Sequence, residues 1–117
     1  MGDCTLTTER MRVFQQKYEF LICAVNQVPP FDATLDWPKK IEDIEMDHYV
    51  SWMKSAYWIS VTCRPALSVP AGFTAEGLPV GIQIVGRRGD ERGVLQIAHA
   101  FEQATGFGER RPPIAAR

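Results

Sequence analysis

Apolar residues in this chain recur at two different periods, and the change of period marks out its elements. From Val80 to Val85 the residues Val80, Ile82 and Ile84 alternate with Gly81 and Gln83, the period-two pattern of a strand with one buried face. Ala66 to Phe73, carrying Leu67, Val69 and Phe73, is a second β-type run, and Thr74-Ala75-Glu76-Gly77 between the two supplies a turn. A glycine closing a four-residue connection takes positive φ without a Cβ clash, so residues 66–86 are predicted to form an antiparallel hairpin. Elsewhere the period is three to four. Met11, Phe14 and Tyr18 predict a helix over 7–18, with Thr7 or Thr8 as cap and Glu9 at its positive end. Tyr49, Val50, Met53, Ala56 and Tyr57 predict one over 47–62 capped by Asp47. Adding Trp52, Trp58 and Ile59 makes that helix apolar around much of its circumference, so it is expected to be buried against more than one neighbour. Val94, Ile97, Ala98 and Phe101 predict a third over 90–105, from Asp90 or Glu91 to Gly106.

The continuous apolar run Phe20 to Val25 has no polar face and is too short for a helix, so it reads as a central strand buried on both faces. From Asn26 to Glu45 the periodicity is lost among Pro29, Pro30 and Pro38. A connection this long wraps a surface or lines a site, and its Phe31 and Trp37 either cover apolar surface or wall a pocket. Residues 107–117, rich in Gly, Pro and Arg, read as a surface tail. The class is α/β, with about three strands and three helices in a single domain over 1–117.

Composition narrows the partners. With 13 Lys plus Arg against 14 Asp plus Glu, the net charge is -1 and there is no basic field for nucleic acid or an anionic membrane. Hydrophobic residues at 45% argue for a folded chain, and a domain of 117 residues buries roughly 65% of its unfolded surface. Cys4, Cys23 and Cys63 are odd in number and unsuitably spaced for a disulfide or a zinc site, which suggests thiols in a reducing cytoplasm. The N-terminus has no apolar leader, and no run reaches the ~20 apolar residues of a membrane span. The expected location is the cytoplasm.

Candidate chemistry is sparse. Ser51-Trp52-Met53-Lys54 fits S-x-x-K, which places a serine one turn from a lysine base, but only two of its four positions are fixed. Ser68 lacks the flanking glycines of a nucleophile elbow. Gly86, Gly89 and Gly93, with Arg87, Arg88 and Arg92, run from a strand into a helix start, where an anion or simple capping by Asp90 are the alternatives, and capping is preferred. His48 and His99 have no partner at metal-ligand spacing. Neither a metal nor a cofactor is called for.

Pro65-Ala66-Leu67-Ser68-Val69-Pro70-Ala71-Gly72-Phe73 and Gly77-Leu78-Pro79-Val80-Gly81-Ile82-Gln83-Ile84-Val85-Gly86 resemble the terminal segment of the amidase signature family. These are hydrolases of carboxamide C–N bonds and include the A subunit of the glutamyl-tRNA amidotransferase. The likeness extends upstream through Tyr49-Val50-Ser51-Trp52-Met53 and Gln27 to Phe31, reaching about Arg10, and downstream through Leu95 to Glu102 and Arg111-Pro112-Pro113. Two positions depart from the pattern: Ala24 stands where the family often has proline, and Cys63 where it often has glycine. If that position requires φ > 0, Cys63 is strained.

The resemblance implies a C-terminal portion of a larger fold, with a partial mixed sheet flanked by helices and a wall of the substrate channel. The region from Trp37 to Trp58 would supply that wall, and Phe31, Trp37, Trp52 and Trp58 are its candidate residues. In the family's Ser-Ser-Lys triad the serines lie in and beside a Gly/Ser-rich segment, the lysine precedes it, and all three are far N-terminal to the part this chain resembles, so no catalytic role transfers to any of its residues. Two readings follow: a fragment of an amidase, inactive alone and completed by the missing N-terminal part, or a non-catalytic remnant that serves as an interaction module and self-associates into a homo-oligomer.

Overall fold

The computed structural model describes residues 2–111, with side chains from residue 5 onward. The Cys4 thiol and residues 112–117 of the tail lie outside the described residues. In order, the elements are α1 (Gly2–Lys17), β1 (Leu21–Ala24), β2 (Lys40–Ile41), β3 (Ile44–Glu45), α2 (Lys54–Val61), β4 (Ala66–Phe73), β5 (Pro79–Val85) and α3 (Glu91–Thr105). 3-10 turns precede α2 at Ser51–Met53 and follow α3 at Phe107–Glu109.

The expected hairpin forms the centre. β4 and β5 pair antiparallel from Ala66 opposite Val85 to Phe73 opposite Pro79, with a bulge at Ala71. Gly77 takes φ 83 in the turn, whose ends are tied by Thr74 N–H to Leu78 O at 2.8 Å. β4 is an edge strand, where the missing N–H of Pro70 leaves no ladder bond unmade on the solvent side. β1 pairs with the other side of β5, Leu21 opposite Val85, giving the order β1-β5-β4. The run at 20–25 is therefore a strand, but at an edge rather than in the centre, and Ile22 is 52% exposed. Its continuous apolarity comes from one side covered by this chain and another left open.

α3 covers one face of the sheet. Val94 and Ala98 bury against Val69 and Ile84, joined by Leu67, Ile82, Ile97 and Phe101, as the spacing predicts. Asp90 caps the helix by accepting from Gly93 N–H at 3.0 Å, and Gly106 closes it at φ 63, donating to Glu102 O. On the opposite face lie α1 and α2. α1 begins earlier than expected, and Thr8 is not its cap but an interior residue whose hydroxyl donates to Val61 O at 3.4 Å. Its inward stripe is Thr8, Met11 and Gln15. Phe14 and Tyr18 face outward and stack on each other with centroids 4.8 Å apart.

The helix expected over 47–62 is shorter. Residues up to Val50 form turns, Ser51–Met53 is 3-10 and only Lys54–Val61 is α-helical, without a side-chain cap, so Asp47 does not perform that role. None of the α2 residues is buried, and Trp58 is 60% exposed. The apolar circumference read from the sequence is thus packed on one side only. The molecule measures 45 × 39 × 22 Å with a radius of gyration of 16.4 Å, against about 13 Å for a compact chain of this length. Ile84 and Val85 are the largest side chains that are fully enclosed.

Cys63 follows the C-terminus of α2 at φ 52, so the position does require the left-handed region and its Cβ is strained there. Cys63→Gly is expected to stabilise the chain by about 0.5–1 kcal/mol, the relief exceeding the added flexibility of the unfolded chain. Asp90→Ala is expected to cost about 1 kcal/mol. Urea midpoints measure both, and a drop in midpoint for the glycine variant contradicts the strain.

Candidate functional site

Gln83 determines where the candidate site lies. It occupies the α2 face of β5, in register between Cys23 and Ser68, and is only 6% exposed. Its amide donates to Ala24 O at 3.2 Å and to Ser55 O at 3.1 Å, which fixes α2 across the sheet. Ser55 answers with its hydroxyl, which donates to Val25 O at 3.4 Å, and its N–H donates to Gln27 Oε1 at 3.3 Å. These bonds hold the start of the 26–45 loop against α2.

From there the loop builds an arm of aromatic rings. Phe31 meets Trp52 edge-on at 5.4 Å, Trp52 meets Tyr49 at 6.1 Å, and Tyr49 meets Trp37 at 6.4 Å, each within a few degrees of perpendicular. Lys39 Nζ sits 3.0 Å from the centroid of Trp37, whose Nε1–H donates to Met46 O at 3.2 Å. The β2–β3 hairpin closes this arm, with Glu42 at φ 51 in its two-residue turn. Asp32 anchors the loop by accepting from both the N–H and the hydroxyl of Thr34 at 2.8 Å, which holds its carboxyl below the usual range.

Two cavities flank the arm. One of about 410 Å³ is walled by Val25, Pro29, Phe31, Trp52, Pro79 and Gly81. The second, about 470 Å³, lies under α2 among Cys23, Ile44, Met46, Ser55, Trp58 and Ile59. Of the four wall residues expected from the sequence, Phe31 and Trp52 share the first cavity, Trp58 lines the second, and Trp37 reaches the first only through Tyr49. Tyr49 links Trp37 to Trp52; it lies within the region from Trp37 to Trp58 but is not among the four wall residues expected from the sequence.

The sequence-derived nucleophiles are differently placed. Ser51 is buried, with Oγ 3.3 Å from both Nδ1 and Nε2 of His48, so it is aligned with the lone pair of neither nitrogen. No bond joins it to Lys54 among the described residues. Ser68 is exposed on edge strand β4. Capping by Asp90 takes the N-terminus of α3 that an anion would have used. Among the described residues there is no group of three His, Cys, Asp or Glu able to hold a metal, and no helix long and apolar enough to cross a membrane. Burial pushes the Cys23 thiol up, partly offset by a hydrogen bond with Gln83.

A profile of the Amidase family matches residues 3–95. The glutamyl-tRNA(Gln) amidotransferase A subunit from Ralstonia pickettii is 35% identical over 108 residues, covering 86% of this chain and 21% of that protein. Its counterpart from Ralstonia nicotianae is 62% identical over 85 residues, covering 71% and 17%. Among solved structures, a bacterial aryl acylamidase of the amidase signature family superposes with a TM-score of 0.81 at 26% identity, over 93% of this chain and 24% of the other. The chain spans about a fifth of the length of the curated relatives it matches.

The indole N–H of Trp52 is buried without an acceptor, whereas that of Trp37 is bonded. Trp37→Phe is therefore expected to lose about 1 kcal/mol of stability and Trp52→Phe distinctly less, because replacing an unpaired donor by carbon leaves nothing unsatisfied. Denaturant titration of both variants checks the order. In alkylation at pH 8 followed by peptide mapping, Cys23 is expected to react more slowly than the exposed Cys63, since a raised pKa keeps it in the unreactive thiol form.

Proposed function

Because the chain belongs to the amidase family, we propose that these residues form the C-terminal scaffold and one substrate-channel wall of a hydrolase that cleaves carboxamide C–N bonds. The observation that carries this reading is the run of edge-on rings from Phe31 to Trp37 beside an apolar cavity of about 410 Å³. Such a wall accepts the apolar or aromatic part of an amide by shape and ring contact, with the arm held in place through Gln83. Phe31 and Trp52 are its inner surface, Trp37 braces it from behind, and Trp58 lines the neighbouring cavity.

Amide cleavage needs a nucleophile, a base to take its proton and donors for the developing oxyanion. In this reading all three come from outside these residues: Ser51 Oγ is equidistant from the two ring nitrogens of His48 and aligned on neither, and Ser68 has no hydrogen bond to a base among the described residues. The serine and lysine of the family's triad would come from the part of the protein that closes the open side of the α2 layer. The partner of this chain is then the remaining portion of an amidase fold.

A second reading has an observation of its own. Ile44 and Trp58, which border the cavity under α2, are each more than half exposed and make an apolar surface of the kind a partner covers. A non-catalytic module would cover it by self-association. The two readings separate in solution. The isolated chain is expected to show no turnover of simple aryl or aliphatic amides; measurable hydrolysis that disappears in Ser51→Ala or Ser68→Ala overturns the scaffold reading. In sedimentation, concentration-dependent association is expected for the module, and a dispersed monomer at high concentration removes it.

A further inference from the structure

On the side of the molecule away from the aromatic arm, a cavity of about 420 Å³ lies between α1 and the outer end of the hairpin. Arg12, Arg64, Arg87 and Arg88 line it with Gln15 and Gln16. A chain of net charge -1 thus places four of its cations around one opening.

Gln15, 5% exposed, organises two of them. Its Nε2 donates to Gly86 O at 2.7 Å, which fixes the amide, and its Oε1 accepts from Arg64 Nε at 2.8 Å. Its backbone carbonyl accepts from Arg87 Nε at 3.1 Å. Both guanidiniums are therefore held at their inner nitrogen by one residue, while their outer nitrogens are little used. Arg64 Nη2 has a 3.5 Å bond to Thr8 O, and Arg87 Nη1 stands 3.8 Å from Glu19. Arg12 is occupied by Glu9, which also feels Arg64. Arg88 is exposed and has no hydrogen bond or ion pair among the described residues.

We propose that this cavity binds a small phosphate-bearing anion, held by the outer nitrogens of Arg64 and Arg87 with Arg88 closing over it. Two pinned guanidinium forks match the several oxygens and double charge of a phosphate better than a single carboxylate does. The bounded cavity, with Glu9 and Glu19 at its edge, suits a small anion and interrupts the extended basic track that a nucleic-acid strand follows. The site is separate from the aromatic arm and does not depend on the channel reading.

The test is calorimetric titration of the full chain with inorganic pyrophosphate, inorganic phosphate, adenosine monophosphate and acetate at low salt. Pyrophosphate is expected to bind saturably below about 1 mM, more weakly as salt is raised, and acetate at least tenfold less well. Tighter binding of adenosine monophosphate than of inorganic phosphate identifies a nucleotide source, and the reverse a free phosphate source; both support the site. Arg88→Gln, which breaks no internal bond, is expected to weaken pyrophosphate about tenfold, and Arg64→Gln more. Arg10→Gln, on α1 but outside the cavity, is expected to change nothing. No saturable binding, equal loss in all three variants, or a short RNA binding more tightly than pyrophosphate overturns the proposal.

Discussion

The side-chain amide of Gln83 stands where three elements meet, and the α2 half of the molecule depends on it. Burying a primary amide is costly unless both of its hydrogens find acceptors, and here they find Ala24 O on the edge strand and Ser55 O on α2. That requirement fixes a short helix that has no buried residue and no side-chain cap at its N-terminus. Gln15 acts the same way at the other end of the hairpin, joining α1 to Gly86, Arg64 and Arg87. The α3 face differs in kind, for there Val69, Ile84, Val94 and Ala98 are held by apolar packing alone.

This asymmetry explains how one small sheet carries two surfaces of different chemistry. The face closed by α3 is a conventional core. The other is tied by polar bonds and leaves room beside them for an aromatic arm and two cavities. On the proposed reading that openness has a meaning: the chain spans about a fifth of a relative's length, and the remaining portion of an amidase fold would cover Ile44 and Trp58. The left-handed Cys63 marks the same boundary, a strained corner between α2 and the hairpin that the chain holds without a glycine.

Much of the fold was legible in the sequence because local rules settle it. The hairpin followed from alternation and a glycine turn, and α3 from its stripe, Asp90 and Gly106. Elements governed by what they pack against were less legible. Phe20 to Val25 looks like a central strand because it has no polar face, whereas its position is an edge, and pairing at an edge leaves no periodic signal. The α2 segment looks longer than it is because Tyr49, Val50 and Trp52 keep helical spacing while serving the aromatic arm. Phe31 and Trp37 stand out as aromatic residues of a long loop, and the family resemblance adds Trp52; that Phe31 meets Trp52, and Trp37 joins them through Tyr49, depends on a loop closure with no period to read. Gln83 and Gln15 carried no signal, since a polar residue in an alternating strand or an amphipathic helix is ordinarily assigned to solvent.

Hydrogen–deuterium exchange on the wild-type chain and on Gln83→Leu measures the central constraint most directly. If the amide holds the aromatic arm to the sheet, the variant loses protection across Lys54–Val61 and through the loop that carries Phe31 and Trp37. The amides of β4, β5 and α3 then remain protected, because the apolar face does not use the bond. Unchanged protection of α2 and its loop, or loss spread equally over both faces, contradicts the account.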